Sequence, residues 1–204
     1  MKATIMIVDD SPYIVDGLSA LLRRRGYEPV VAHDGDECLR MLPVVRPDLI
    51  LLDIMMEPRD GWETLEEIRS GSPDTNDIPV LMFSAKKITP DEASGHSMSM
   101  DDFIAKPINP DELLGAIGRV FARRRELDEW VAHAKDAGLD QAIISEYVRL
   151  RRSIEADGKM LAELRMAIGM DIPGKSVSDR DRDAIARLEE KVRKDGARLR
   201  EING

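Results

Sequence analysis

Five short runs rich in isoleucine, valine and leucine alternate with amphipathic stretches along the first 122 residues. The helical patterns cover about 12–25, 35–45, 61–69, 90–97 and 110–125, and the apolar runs cover 4–8, 29–32, 49–53, 79–84 and 102–105. Continuous apolar runs of this length are typical of strands buried on both faces of a parallel sheet. The strict alternation therefore predicts a doubly wound α/β fold with a five-stranded parallel sheet.

Chemically active side chains stand at the ends of the predicted strands. The first run is followed by Asp9 and Asp10, the third ends at Asp53, the fourth ends at Ser84, and Lys106 follows the fifth. Ligands of a doubly wound sheet bind at the carboxyl ends of its strands, so we expect these residues on one rim. Three crowded carboxylates repel one another unless a cation joins them, and oxygen ligands favour a hard ion such as Mg²⁺.

A simpler explanation for an acidic residue after a strand is that it caps the next helix. Ser11 precedes Pro12 at the predicted start of the first helix, and serine is a favoured capping residue. Asp9 and Asp10 are then both available for the rim.

Four segments of the chain resemble the receiver domain of two-component response regulators, in the family's order and at its usual spacing. They read Ile-Met-Ile-Val-Asp-Asp-Ser at 5–11, Leu-Ile-Leu-Leu-Asp-Ile-Met-Met at 49–56 with Asp-Gly at 60–61, Val-Leu-Met-Phe-Ser-Ala at 80–85, and Asp-Asp-Phe-Ile-Ala-Lys-Pro at 101–107. The resemblance implies a flavodoxin-like receiver domain over residues 1–123. Residues 124–204 resemble no family in the same way and are expected to form a helical output or dimerisation domain.

The resemblance implies a role for each rim residue. Asp53 would be the phosphoacceptor, and Lys106 and Ser84 would bind phosphoryl oxygens, because phosphoryl transfer depends on placement and on neutralised charge. Ser84 and Phe103 would form a switch that moves on phosphorylation. Mg²⁺ would be held by a set of oxygen ligands: Asp9, Asp10, Asp53 and the backbone carbonyl of Met55.

The resemblance also implies that the protein receives its phosphoryl group from a sensor histidine kinase or a phosphotransfer protein, and the composition of the chain leads us to expect a cytoplasmic protein. The receiver would catalyse its own phosphorylation and dephosphorylation, with no separate catalytic domain. The N-terminal apolar run is too short for a signal peptide, and no run reaches the roughly 18 apolar residues of a membrane helix. The single cysteine excludes an internal disulfide, and we expect Cys38 to be a half-buried structural thiol.

The backbone conformation at two prolines near the rim is not determined by the sequence. The family usually carries a proline where this chain has Glu57, and here the proline follows as Pro58, so the path of the loop after Asp53 is not fixed by the resemblance. The family commonly has a cis bond at the position of Lys106 and Pro107, whereas sequence alone favours trans.

The second half of the chain contains helical patterns alone. The last receiver helix is expected to run on to about residue 135, followed by helices over about 141–168 and 180–202. The latter two carry apolar residues at a seven-residue period, which predicts a helical hairpin or a coiled coil. Each apolar stripe is broken by an Asp-Gly pair, at Asp157 and at Asp195.

Three interpretations of these acidic residues remain open. In an antiparallel hairpin Asp157 would lie near Asp195, and the simplest interpretation is that each Asp-Gly bends its helix and turns its carboxylate to solvent. They could instead fix the register of the hairpin or receive a basic partner residue, since unpaired carboxylates in a seam are costly. The helices could also pair with a second subunit.

The charge of the chain bears on its partners. The net charge of −9 divides into −7 for residues 1–125 (15 Lys and Arg against 22 Asp and Glu) and −2 for residues 126–204 (15 against 17). Neither half has the basic footprint of a nucleic-acid binder, which makes a protein partner of the helical segment, or a homodimer, the favoured prediction. The alternatives are an atypical DNA-binding transcriptional regulator and a regulatory subunit of an enzyme.

Overall fold

The computed structural model of the chain describes residues 2–84, 100–172 and 176–203. The helix predicted over 90–97 lies outside these residues, as does Ala85, the last residue of the third family segment. The described part forms two compact units, the first made of residues 2–84 and 102–118, and the second of residues 100–101, 119–172 and 176–203.

The first unit alternates strands and helices, as predicted. Its elements in chain order are β1 (Thr4–Val8), α1 (Pro12–Arg24), β2 (Glu28–Ala32), α2 (Gly35–Val45), β3 (Leu49–Asp53), α3 (Gly61–Ser70), α4 (Pro73–Asn76), β4 (Val80–Ser84), β5 (Asp102–Ala105) and the first turns of α5 (Pro110–Asp136). All five predicted strands are present, and their bounds differ from the prediction by no more than one residue. The short helix α4 was not predicted, because four residues carry no periodic pattern.

The five strands form one parallel sheet in the order β2-β1-β3-β4-β5. This order confirms the doubly wound, flavodoxin-like receiver fold. Every residue of β3 and β4 is buried, which explains why these strands read as continuous apolar runs. β1 lies between β2 and β3, so the residues that follow β1 emerge beside the end of β3.

Local sequence signals fix where the helices of this unit begin. Helix α3 starts with a capping box, in which Asp60 accepts the backbone N–H of Glu63 at 2.8 Å and Glu63 accepts that of Asp60 at 3.2 Å. Helix α2 starts at Asp34, whose carboxylate accepts the N–H of Glu37 at 2.6 Å. These caps hold the loops that precede the helices at the carboxyl end of the sheet.

Cys38 of α2 is fully buried, with its sulfur 3.7 Å from the sulfur of Met6 in β1. The prediction of a half-buried thiol was therefore wrong. The sequence alone could not show how closely this part of α2 meets the sheet.

The second unit is helical, as predicted. It contains the part of α5 after Gly118, α6 (Gln141–Ile168) and α7 (Asp179–Asn203). Contacts between α6 and α7 run in opposite directions along the chain, from Glu146 with Arg198 to Arg165 with Glu189, so the two helices form an antiparallel hairpin. Trp130 of α5 stacks on Tyr147 of α6 with 3.5 Å between the ring centroids.

The interpretation in which both Asp-Gly acids face solvent was wrong. Asp157 is fully buried in the hairpin, and the side chain of Asp195 is 19% exposed. Both helices continue through Gly158 and Gly196. Among the described helices, none combines the length and the apolar character needed to cross a lipid bilayer.

Candidate functional site

Sheet pairing brings the predicted rim residues together. Val8 pairs with Leu52, so Asp9 follows β1 next to the point where Asp53 ends β3. Ser84 ends β4 and pairs with Ala105, which places the start of the next loop, at Lys106, on the same rim. The backbone N–H of Lys106 donates to the carbonyl oxygen of Ser84 at 2.7 Å.

Three carboxylates form the centre of the site. Asp9 and Asp53 are buried and Asp10 is exposed, and one carboxylate oxygen of each lies within 4.8 Å of the others. Burying two carboxylates side by side is unfavourable unless positive charge compensates them. A cation beside these carboxylates would stabilise the arrangement.

Lys106 supplies part of that charge. Its Nζ lies 2.9 Å from Oδ2 of Asp53 and 3.0 Å from Oδ2 of Asp9. The ammonium also lies 4.9 Å from the centroid of the Phe83 ring, within range of a cation–π contact. One lysine thus bridges both buried carboxylates. No such ion pair joins Lys106 to the exposed Asp10.

Burial and charge shift the pKa values of this pair. Burial raises the pKa of the Asp53 carboxyl above its ordinary value, and this effect outweighs the hydrogen bond from Lys106, which lowers it. Burial opposes the charge of Lys106, but its hydrogen bonds to Asp53 and Asp9 outweigh burial and raise the pKa of the ammonium. Lys106 therefore stays protonated, and its charge compensates only part of the cost of burying the Asp53 carboxylate.

The free oxygen atoms of the cluster fit a hard cation. Oδ1 of Asp53 is buried and makes no hydrogen bond within 3.5 Å to the described residues, although the backbone N–H of Met55 lies close enough to lower the pKa of the Asp53 carboxyl. Asp10 offers a further carboxylate beside it, and the donor set is all oxygen. An unpaired buried carboxylate oxygen is costly, so a bound cation would stabilise this arrangement.

Asp9 also has a local structural role that the sequence did not indicate. Ser11 is at the N-cap position of α1, as predicted, but its side chain makes no capping hydrogen bond. Instead the backbone N–H of Ser11 donates to Oδ1 of Asp9 at 2.8 Å. Asp9 is therefore held by the turn that leads into α1, with one oxygen on that turn and the other on Lys106.

The loop after Asp53 is held close to the strand. The N–H of Gly61 donates to the carbonyl of Ile54 at 3.0 Å, and a Cβ at Gly61 would lie only 2.1 Å from the carbonyl oxygen of Asp53. The loop can take this path only because residue 61 has no side chain. Met55 lies within it, with its side chain 53% exposed.

The structure gives the peptide-bond conformation at both prolines near the rim. The bonds between Glu57 and Pro58 and between Lys106 and Pro107 are both cis. The trans form favoured by sequence alone is therefore wrong at Pro107, and the form implied by the family resemblance is correct.

The two predicted switch residues are both buried. Ser84 lies at the end of β4, and Phe103 lies in β5, where it pairs with Met82 of β4. Buried side chains can change position only if their surroundings yield.

Two contacts at the site could not be predicted from spacing. The Phe83 ring lies near Lys106, although its position in a fully buried strand predicted only core packing. Arg59 of the loop after β3 places its Nε 2.9 Å from a carboxylate oxygen of Asp36 at the start of α2. This pair ties the loop to a neighbouring helix that lies 23 residues away in the chain.

Two family models match the chain. One, described as the response regulator receiver domain, matches residues 5–118, and the other, described as Metanogen output domain 2, matches residues 123–204. The receiver match contains every predicted rim residue.

Known response regulators match a large part of the chain. The DNA-binding response regulator MtrA of Mycolicibacterium smegmatis is 36% identical over 130 residues, 63% of this chain and 54% of that protein. The response regulator MprA of Mycobacterium ulcerans is 31% identical over 173 residues, 82% of this chain and 73% of that protein. The chain thus spans about half the length of the MtrA proteins that it matches.

A solved structure agrees with the observed fold. The chemotaxis protein CheY4 of Vibrio cholerae is 30% identical, with a TM-score of 0.55. The match covers 59% of this chain and 99% of that chain.

Proposed function

The chain belongs to the response regulator receiver family through residues 5–118, and we propose that Asp53 is the carboxylate on which it accepts a phosphoryl group. One observation carries the proposal. Asp53 is buried with one oxygen on Lys106 and the other without a hydrogen bond to the described residues, next to two further carboxylates. A carboxylate with a free oxygen beside a fixed cation is a suitable nucleophile.

In the proposed reaction, an oxygen of Asp53 attacks the phosphorus of the donor. The bond between phosphorus and the donor atom breaks, and the leaving group keeps the electron pair of that bond. Lys106 pairs with an oxygen of the transferred group, and Ser84 donates its hydroxyl to another. These contacts neutralise the charge that spreads over the equatorial oxygens during transfer.

Mg²⁺ is the cofactor that fits the donor set best. Asp9, Asp10, Asp53 and the backbone carbonyl of Met55 would hold it. When bound, Mg²⁺ supplies positive charge that stabilises the phosphoryl oxygens. The free oxygen of Asp53 and the neighbouring Asp10 support this assignment.

The response would pass through the switch pair. The phosphoryl group adds size and negative charge beside Ser84, so the Ser84 hydroxyl is drawn toward it. Phe103 then changes rotamer in the space that Ser84 leaves. Both side chains are buried and lie on neighbouring strands, which supports a coupled movement.

The output belongs to the same proposal. A receiver domain over residues 1–123 takes its phosphoryl group from a sensor histidine kinase or a phosphotransfer protein in the cytoplasm. The helical domain over residues 124–204 then binds a protein partner. The match of residues 123–204 to a family described as an output domain supports this role.

DNA binding is the second candidate for the output, because the name of MtrA includes it. The net charge of −2 over residues 126–204 argues against it, since DNA binding depends on neutralising phosphates with basic residues. Salt-dependent binding of the full chain to duplex DNA would replace the protein-partner proposal and leave the Asp53 proposal intact.

The phosphoacceptor is tested by labelling the full chain with a small acyl phosphate. With Mg²⁺ we expect intact-mass analysis to show one added phosphoryl group, and none with EDTA. Asp53→Asn should abolish the label, whereas Asp16→Asn, at an exposed acid on α1 of the same unit, should keep it. Equal labelling of Asp53→Asn and wild type would refute the proposal.

A further inference from the structure

A buried polar cluster lies in the middle of the α6–α7 hairpin. It consists of Ser153 and Asp157 on α6 and of Lys191 and Asp195 on α7. The Ser153 hydroxyl lies 3.0 Å from Oδ2 of Asp157 and 2.9 Å from Oδ2 of Asp195. We call these four residues the hairpin cluster.

Lys191 is the cation of the hairpin cluster. Its ammonium contacts Oδ2 of Asp157 directly, and it lies 2.5 Å from the Ser153 hydroxyl and 3.5 Å from Oδ2 of Asp195. Ser153 and Asp157 are fully buried, and the side chain of Lys191 is 22% exposed. The interpretation in which an Asp-Gly acid receives a basic residue is therefore correct for Asp157.

Such a cluster is a poor source of stability. Removing charges from water costs free energy that their mutual attraction repays only in part, and apolar residues of similar size often do better. Oδ1 of Asp157 is buried without a hydrogen-bond partner among the described residues, which adds to the cost. The cluster therefore needs another explanation than stability.

The apolar seam around the cluster does not define one alignment. The helices share a pattern, because Leu150, Ile154, Leu161 and Leu164 on α6 recur 38 residues later as Leu188, Val192, Leu199 and Ile202 on α7. Apolar side chains at a seven-residue period can pair again after a shift of seven residues, about 10 Å along a helix. The buried apolar side chains of the two helices are aliphatic except for Tyr147, and they place few steric limits on such a shift: Ile144, Leu150, Ala156, Met160, Leu164, Ala184, Ile185 and Leu188.

The ion pairs at the ends of the hairpin cannot prevent it. Arg198 lies 2.8 Å from Glu146, and Arg165 lies 2.5 Å from Glu189, but all four side chains are in substantial contact with water. Exposed ion pairs typically contribute less than about 1 kcal/mol. A shift of one heptad in the buried cluster, in contrast, would leave Lys191 and Asp157 each without its partner.

We propose that the hairpin cluster fixes the register of α6 and α7 and keeps both helices of the pair in one chain. An alternative alignment, or exchange of α7 between two copies of the chain, must bury these charges in a different setting. The cluster thus makes wrong pairings unfavourable at the expense of the stability of the correct one. This inference does not depend on the role of Asp53.

The first test separates the charge of Lys191 from its apolar stem. Lys191→Met leaves Asp157 buried without a cation and is expected to lower the thermal midpoint of the hairpin by about 10 °C. Lys194→Met, three residues away on the exposed face of α7, should leave the midpoint within about 2 °C. Fluorescence of Trp130 in a Trp62→Phe background reports the hairpin unit, since the chain has two tryptophans. Equal midpoints for both variants would overturn the proposal.

The second test replaces the whole cluster by apolar residues, in the variant Ser153→Ala, Asp157→Leu, Lys191→Met and Asp195→Leu. We expect the midpoint to return to the wild-type value or above it, while the pairing becomes heterogeneous. Spin labels on Ala162→Cys and Ala186→Cys, both at exposed positions, should give one distance in the wild-type background and a second, longer distance in the apolar variant, because a heptad shift displaces one label by about 10 Å along the helix axis.

Singly labelled chains test whether α7 exchanges between two copies of the chain. Mixing chains labelled at residue 162 with chains labelled at residue 186 should yield an intermolecular distance in the apolar variant and none in the wild type. A single wild-type distance with no exchange in the apolar variant would overturn the proposal. Failure of that variant to fold would overturn it too, because the apolar seam alone is held to be sufficient for stability.

Discussion

The ammonium of Lys106 lies 2.9 Å from Oδ2 of Asp53. Because the same ammonium lies 3.0 Å from Asp9, Lys106→Met removes the one described lysine that contacts these two buried carboxylates. We expect the variant to lose about 3 kcal/mol of unfolding free energy in urea titrations with EDTA. Added Mg²⁺ should recover more stability in the variant than in the wild type, since it would replace the missing charge.

A matched control for Lys106→Met is Lys2→Met, at an exposed position of the same unit. That variant should stay within about 0.5 kcal/mol of the wild type. A loss of the same size in both variants would show that the shared salt bridges do not stabilise the rim.

Asp53→Asn should change how stability depends on pH. Burial raises the pKa of Asp53 in the folded chain, so the folded state holds this proton more tightly than the unfolded state does. The ionised carboxylate is therefore a cost that is absent below the ordinary aspartate pKa of about 4 and develops as pH rises through the raised value. In EDTA, the thermal stability of the variant relative to the wild type should rise with pH from about 4 upward and level off once the raised pKa of Asp53 is passed. A difference that is constant over this range would contradict the assignment.

The buried thiol should resist modification. Burial, and then the nearby Asp34 carboxylate, raise the pKa of Cys38 to about 12, so at pH 8 about one molecule in ten thousand carries a thiolate. We expect iodoacetamide to leave the native chain unlabelled and to add one group after unfolding in urea. Stoichiometric labelling of the native chain would show that Cys38 is accessible.

Strand ends made the rim predictable from sequence. In a doubly wound sheet every strand points the same way, so Asp9, Asp53 and Ser84 had to meet once their strands were recognised. The sequence could not show which of the three carboxylates share the ammonium charge of Lys106. A lysine side chain is long enough to reach several acids, and only the folded chain shows that Lys106 bridges Asp9 and Asp53 while Asp10 remains exposed.

The hairpin was predictable to a lesser degree. The seven-residue period located both helices, but it classed Asp157 as a break in the apolar stripe rather than as a buried charge. The partner, Lys191, lies 34 residues further on and outside that stripe, so no local pattern links the two. A helical period defines a face, whereas the depth of a side chain within that face depends on the helix opposite.

Glycine-to-alanine substitutions should have opposite effects in the two units. At Gly61 the new Cβ would lie 2.1 Å from the Asp53 carbonyl oxygen and 2.7 Å from the Ile54 Cα, both backbone atoms, so the loop beside the rim must move. We expect a loss of about 3 kcal/mol in urea titrations, with a matching loss of acyl phosphate labelling. At Gly158, inside α6, no atom beyond its chain neighbours and the nearby backbone of the same helix lies within 4 Å of the new Cβ, and alanine should add about 0.5–1 kcal/mol through its higher helix propensity. Destabilisation by Gly158→Ala would mean that residue 158 needs a backbone conformation that α6 does not otherwise have.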